Sequence, residues 1–332
     1  MRISSERATC SPRWAYAQGF IRDRMKNWTG DAKTRRLLHS IYNRSGIETR
    51  HSVLGDFDSN EVPVLYRCDS EGKVIPPGTG ERNAVFARAS RELAVQAAAG
   101  ALRGAPDFSA AQVTHLIFVS CTGFTNPGPD YHIIRELGLR HDVQRFTLGF
   151  MGCYAALPAL RMAAQFCQAD PAAVVLVVSL ELCTLHMQID DKPDNLLANS
   201  LFADGAAAAL VSARAPQPGR TAYALRGFDS ELLPAGESEM AWDIGNTGFN
   251  LVLSSYVPEV IGANLQGLLR SLLERRNMNL DDIADWAVHP GGRAILDKVE
   301  QSLRLPAAAL EASRGVLAAH GNMSSATILY VL

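Results

Sequence analysis

Three apolar runs constrain this chain more than any other feature. Residues 114–120 (THLIFVS), 172–182 (AAVVLVVSLEL) and 206–212 (AAAALVS) carry almost no polar side chain. A strand with one wet face would alternate apolar and polar residues, so continuous runs this short read as strands buried on both faces. Helical stretches separate them. Residues 81–100 are Ala-rich and residues 131–139 form a short helical segment. Strands alternating with helices predict an α/β sheet joined by right-handed crossovers.

Residues 146–166 (FTLGFMGCYAALPALRMAAQF) hold a strand that runs straight into a helix, with Cys153 at the turn. The first N–H groups of a helix lack partners inside it and carry the positive end of its dipole. A cysteine there is expected to have a lowered thiol pKa and nucleophilic character. Gly152 allows close approach of the backbone to whatever reacts.

A second set follows a looser segment at 213–219. Residues 222–228 read as a strand and 256–276 as a long amphipathic helix. Residues 286–288 read as a short strand ending in His289-Pro290-Gly291-Gly292. Residues 293–303 read as a helix. Gly321-Asn322-Met323-Ser324-Ser325 leads into a last apolar helix at 326–332. Cys153, His289 and Asn322 thus stand at analogous strand and helix ends, where open α/β sheets bind ligands. The three together suit acyl transfer: a cysteine nucleophile needs a neighbouring base or cation, and its product needs oxyanion donors.

The rest of the chain narrows the classes. A net charge of −2 gives no reason to expect nucleic acid or an anionic membrane as partner. Six cysteines without a CxxC pair read as reduced thiols of a cytoplasmic protein, with no metal site. No apolar run follows the basic residues at the N-terminus, and none approaches the ~20 residues of a membrane helix. Residues 1–50 look helical, polar and basic: either a solvated face or a clamp for phosphate groups. Residues 55–82 read as a loop. GTGER at 78–82 lacks the preceding strand and the glycine spacing of a phosphate loop.

The motifs MGCYAALPALRMA, LFADGAAAALV, WAVHPGGRAILDKVE and GNMSSATILYVL resemble the type III polyketide synthases, the chalcone-synthase family of the thiolase superfamily. The resemblance runs from about residue 35 to the last residue. It implies a five-layered αβαβα thiolase-like fold of two related halves, residues 1–213 with the cysteine and 214–332 with the histidine and asparagine. It implies a homodimer that extends an acyl-CoA starter with malonyl-CoA, using CoA thioesters as substrates and no cofactor. Cys153 matches the acylated nucleophile. His289 and Asn322 match the pair that polarises the thioester carbonyl and drives decarboxylation. Phe202 matches the first gatekeeper aromatic; the second falls on Leu251, so the usual Phe is absent. Arg44 matches one CoA contact. Its companions fall on Leu37 and Ser40, with Arg36 nearby as a substitute. Ser324 falls on a cavity position, His186 and Trp242 replace smaller cavity residues, and Asn126 stands where a Met reaches across the dimer.

The stretch ELCTLHMQ (181–188) resembles bacterial members that take long fatty acyl starters and make alkylpyrones or alkylresorcinols. It implies an acyl tunnel near Cys121 and Cys183. The family continues past the GNMSS helix into a further strand and a Gly-Pro-Gly loop, beyond Leu332 where this sequence stops. Two other readings stay open: a single-round β-ketoacyl synthase of the same superfamily, and a non-catalytic thiolase-fold subunit of a partner synthase.

Overall fold

The computed structural model describes residues 1–4, 8–29, 31–220 and 222–332. Among the described residues the strands are β1 (Arg2–Ser4), β2 (Ala8–Cys10), β3 (Trp14–Ala17), β4 (Thr49–Ser52), β5 (His115–Ser120), β6 (Gln144–Gly149), β7 (Val174–Leu182), β8 (Asp204–Ser212), β9 (Ala222–Ala224), β10 (Met240–Gly245) and β11 (Gly248–Leu253). The helices among them are α1 (Gln18–Trp28), α2 (Ala32–Arg44), α3 (Thr79–Gly104), α4 (Pro129–Leu137), α5 (Ala156–Ala169), α6 (Pro193–Leu201), α7 (Val257–Glu274), α8 (Arg293–Leu303), α9 (Glu311–His320) and α10 (Thr327–Val331).

The main sheet has the order β6-β5-β7-β8-β1-β9, with β2 also paired to β8. Every residue of β5, β7 and β8 is buried, as continuous apolar runs require. Successive side chains point to opposite faces, and two cores result. Leu116, Phe118, Leu176 and Val178 pack with Ala94, Ala97 and Ala98 of α3. Ile117, Val119, Val175 and Val177 pack with Ala156, Ala159 and Ala163 of α5 and with Ile328 of α10. The architecture is the expected thiolase-like α/β fold.

Five local expectations need correction. Residues 1–50 open with three short strands before α1: β1 and β2 extend the sheet along β8, and β3 pairs with β4. The basic stretch behind them is two helices. Asp31 caps α2 by accepting the Lys33 and Thr34 N–H groups at 2.8 and 2.9 Å, which is the usual way a new helix starts. The sheet is mixed: β5 is parallel to β6 and β7, but β8 returns antiparallel to β7. Residues 286–288 form no strand; they find no ladder partner among the described residues, and the Val288 N–H is taken by the Ser313 hydroxyl at 3.1 Å. The strand expected over 222–228 pairs only through Ala222–Ala224. GTGER opens α3, where the Glu81 carboxylate accepts the Gly78 N–H at 2.8 Å.

Candidate active site

The strand β6 ends at Gly149, and the chain turns through two left-handed residues, Phe150 (φ 58°) and Gly152 (φ 81°). The Ala155 N–H closes the turn on the Gly152 carbonyl at 3.1 Å. Cys153 therefore sits in the turn itself, three residues ahead of α5. The Ser324 and Asn322 side chains lie close enough to its sulfur to favour the thiolate.

The thiol does not behave as the helix-start argument expected. Burial pushes it up to about 11, against the pull of the Ser324 side chain, and the nearby Glu181 charge pushes the same way. Removing a thiolate from water outweighs a dipole whose first turn begins beyond the residue.

Asn322 lies between α9 and the 3₁₀ turn Ser324–Ala326. Gly321 precedes it at φ 70°, where a Cβ would stand 3.0 Å from Arg50 Cγ. Its amide nitrogen donates to the Gly291 carbonyl at 3.0 Å, and its amide oxygen accepts the Ser324 N–H at 2.9 Å. One amide thus ties the GNMSS turn to the HPGG turn and keeps one hydrogen free of that tie. Ser324 is itself left-handed at φ 46°, a strain of the kind found at functional sites. His289 is two residues from Gly291, whose N–H returns to the His289 carbonyl at 3.0 Å. Both His289 ring nitrogens are buried without a hydrogen-bond partner. Burial alone drives the imidazole down to about 4, so it stays neutral. A buried polar ring with nothing to bond is unusual away from functional sites.

Above Cys153 opens a cavity of about 630 Å³. It gathers the expected residues Cys121, Cys183, His186, Phe202, Trp242, Leu251 and Ser324. The structure does not bring Arg44 or Arg36 to it. Both are exposed on α2, whose opposite face reaches the cavity wall through Tyr42 Oη, 3.0 Å from the Asn199 carbonyl. Asn126 is exposed in the loop before α4.

Two features were missed. The absence of an aromatic at Leu251 is offset by Phe249, whose ring stacks on His186 (3.7 Å between centroids) and Trp242 (4.7 Å). Phe150 extends the cluster, 5.0 Å from Trp242. Residues two apart on a strand share a face, so the signal for Phe249 lay beside Leu251. The second is Glu181, wholly buried in β7. Its carboxylate accepts from the Cys121 N–H and the Thr122 hydroxyl, each at 2.9 Å, and from the Ser325 hydroxyl. Burial still raises it to about 7. A lone acid in an otherwise apolar strand was its signal.

Comparison with known proteins agrees with this arrangement. Residues 5–215 match the N-terminal domain and residues 225–332 the C-terminal domain of chalcone and stilbene synthases. An alpha-pyrone synthesis polyketide synthase-like protein of Mycobacterium tuberculosis, Pks18, is 32% identical over 329 residues, covering 98% of this chain and 81% of that one. The 1,3,6,8-tetrahydroxynaphthalene synthase of Streptomyces peucetius subsp. caesius is 34% identical, covering 90% and 75%. Among the solved structures, the C-terminal type III polyketide synthase domain of Steely1, a type I/III hybrid from Dictyostelium, superposes with a TM-score of 0.89 at 29% identity, covering 99% of this chain and 90% of that chain. A 1,3,6,8-tetrahydroxynaphthalene synthase from Streptomyces coelicolor gives 0.87 at 28%, covering 100% and 90%.

Proposed function

The chain belongs to the chalcone and stilbene synthase family, the type III polyketide synthases, and on that premise we propose that it loads a medium- or long-chain fatty acyl group from CoA onto Cys153 and extends it with malonyl-CoA. The observation that carries this reading is Cys153, which lines a cavity of about 630 Å³ together with Cys121, Cys183, Leu251 and Ser324. Each buried methylene of a starter contributes about 0.8 kcal/mol, so a wall of small apolar side chains favours longer chains.

In this reading the neutral His289 imidazole takes the thiol proton as Cys153 sulfur attacks the starter thioester and CoA leaves. The Asn322 amide and the His289 ring then donate to the enolate oxygen formed when malonyl-CoA loses CO₂. The enolate carbon attacks the acyl group on Cys153, and the lengthened chain returns to the sulfur for another round. Closure of the product to an alkylpyrone or alkylresorcinol is supported by the name of Pks18, which concerns alpha-pyrone synthesis. Arg44 and Arg36 would meet CoA phosphates from the exposed face of α2. We also read residues 1–213 and 214–332 as two halves, in a cytoplasmic homodimer.

The test is incubation with malonyl-CoA and acyl-CoAs of two to eighteen carbons, followed by mass analysis of products. Triketide and tetraketide pyrones or resorcinols from starters of eight carbons or longer are expected. A single-round β-ketoacyl product, or preference for acetyl-CoA, contradicts the reading.

A further inference from the structure

Arg50 lies in β4 and is 2% exposed. Among the described residues its guanidinium forms no ion pair; the Asp204 carboxylate acts on it only from a distance. A buried cation without a carboxylate is costly, so its placement calls for a reason.

Its Nη1 donates to the Asn199 carbonyl at 2.7 Å and to the Phe202 carbonyl at 2.8 Å. Both belong to the C-terminal end of α6, where carbonyls lack helical partners and the dipole favours a cation. That end is fully partnered by the rest of the chain. Gln18 donates to the Ser200 carbonyl at 2.8 Å, and Tyr42 shares the Asn199 carbonyl at 3.0 Å. The Asn322 N–H takes the Leu201 carbonyl at 2.9 Å. The aliphatic stem of Arg50 meanwhile lies against Gly321, leaving no room there for a Cβ. The guanidinium thus binds one side of the Phe202–Asn322 junction while its stem packs on the other. It makes no contact with the turn that carries Cys153. Its Nε and Nη2 have no hydrogen-bond partner, and the guanidinium lies over the Tyr42 ring, 5.5 Å from its centroid.

We propose that Arg50 is a positioning residue for decarboxylation, locking the α6 terminus with Phe202 to the Gly321–Asn322 turn so that the Asn322 amide stays aimed at the enolate oxygen. This rests on the function proposed above. A larger effect on CO₂ release than on loading of Cys153 separates it from a general stabiliser of the fold.

Arg50→Lys keeps the charge but reaches only one carbonyl, and Arg50→Met removes both bonds. With Arg50→Met, kcat for CO₂ release from malonyl-CoA should fall about tenfold to a hundredfold, as for small misplacements of a reacting group. KM should move less than about twofold, and the rate of Cys153 acylation should match wild type. Arg50→Lys should restore part of the loss. If Arg50→Met does not fold, Arg50→Lys decides alone, with a smaller loss in kcat at unchanged acylation. Wild-type CO₂ release, or acylation falling in step with it, overturns the proposal. Hydrogen exchange on Arg50→Lys needs no activity: peptides over 199–206 and 318–324 should exchange faster and those over 150–160 should not. Unchanged exchange in the first two overturns the lock itself, whereas a wild-type enzyme that releases no CO₂ overturns only the proposed function.

Discussion

Phe202 and Asn322 are bridged backbone to backbone: the Asn322 N–H donates to the Leu201 carbonyl and its carbonyl accepts the Ala203 N–H, both at 2.9 Å. The cavity-lining Phe202 and the amide of Asn322 thus share one junction. The N-terminal family domain supplies one and the C-terminal domain the other. The geometry of the gate and the orientation of the amide cannot vary independently.

Loading and decarboxylation should therefore be separable by mutation. Cys153→Ala should make no polyketide yet still release CO₂ from malonyl-CoA, since the enolate needs donors and not a nucleophile. Asn322→Ala should still accept an acyl group on Cys153 but lose CO₂ release by about a hundredfold to a thousandfold, the usual cost of one oxyanion donor. His289→Ala should weaken both. Decarboxylation by Asn322→Ala at the wild-type rate would remove Asn322 from the account.

The buried Glu181 should leave a signature in stability against pH. Its carboxyl is raised from 4.5 to about 7, so the folded protein holds the proton more tightly than the unfolded chain. Stability from this group is complete below about pH 4.5 and is lost as pH rises through 7. The shift corresponds to roughly 3 kcal/mol. Asp204, raised to about 6 by burial, acts in the same direction. Urea denaturation at pH 5 and pH 8.5 should show wild type losing more stability across that range than Glu181→Gln. Equal losses would mean that Glu181 is not protonated in the folded state.

Glu181 also bears on the nucleophile. Its charge raises the Cys153 thiol, as does burial, so alkylation of resting enzyme by iodoacetamide should accelerate as pH rises above neutrality. Glu181→Gln should move that profile to lower pH. A profile already flat below pH 7, unmoved by the substitution, would point to a preformed thiolate.

Much of the site could be read from the chain before its structure. Cys153, Phe202 and Ser324 stand in short motifs whose strand and turn context is local, and all three line the cavity. The apolar runs identified the inner strands because burial on both faces leaves so strong a mark. What escaped was set by distant contacts. Strand β8 turns antiparallel through α6, which no local pattern encodes. β1 and β2 are three residues each and exist only because β8 offers an edge. The Cys153 thiol is governed by how deeply the turn is covered, a property of α5, the Ser324 turn and Glu181 together. Arg50 looked like one more basic residue of a charged segment until its carbonyl partners, 149 and 152 positions away, came into view.

The acyl passage makes a steric prediction. Cys183 lines the cavity between β7 and α6, where a small side chain leaves the wall open. Cys183→Phe should shift preference toward shorter starters, read as the ratio of products from hexanoyl- and lauroyl-CoA. An unchanged ratio would show that long chains run elsewhere, past the aromatic cluster of Phe249 and Trp242.

Two glycines near the nucleophile should differ in what they tolerate. Gly152 and Gly321 are both left-handed, so alanine at either costs about 1 kcal/mol for the backbone. A Cβ at Gly152 meets open space, whereas at Gly321 it stands 3.1 Å from the Leu201 carbonyl and crowds Arg50. Thermal denaturation should show Gly321→Ala the less stable of the two, with CO₂ release also impaired. Equal melting temperatures would contradict the tight packing of the Asn322 turn.

The central claim is that Cys153 accepts the acyl group from a CoA thioester. Wild-type protein mixed with lauroyl-CoA, quenched in acid and digested should yield a Cys153 peptide heavier by one lauroyl group, with the other five cysteines unmodified and no adduct in Cys153→Ala. An adduct on Cys121 or Cys183 instead, or none on any cysteine, would contradict it.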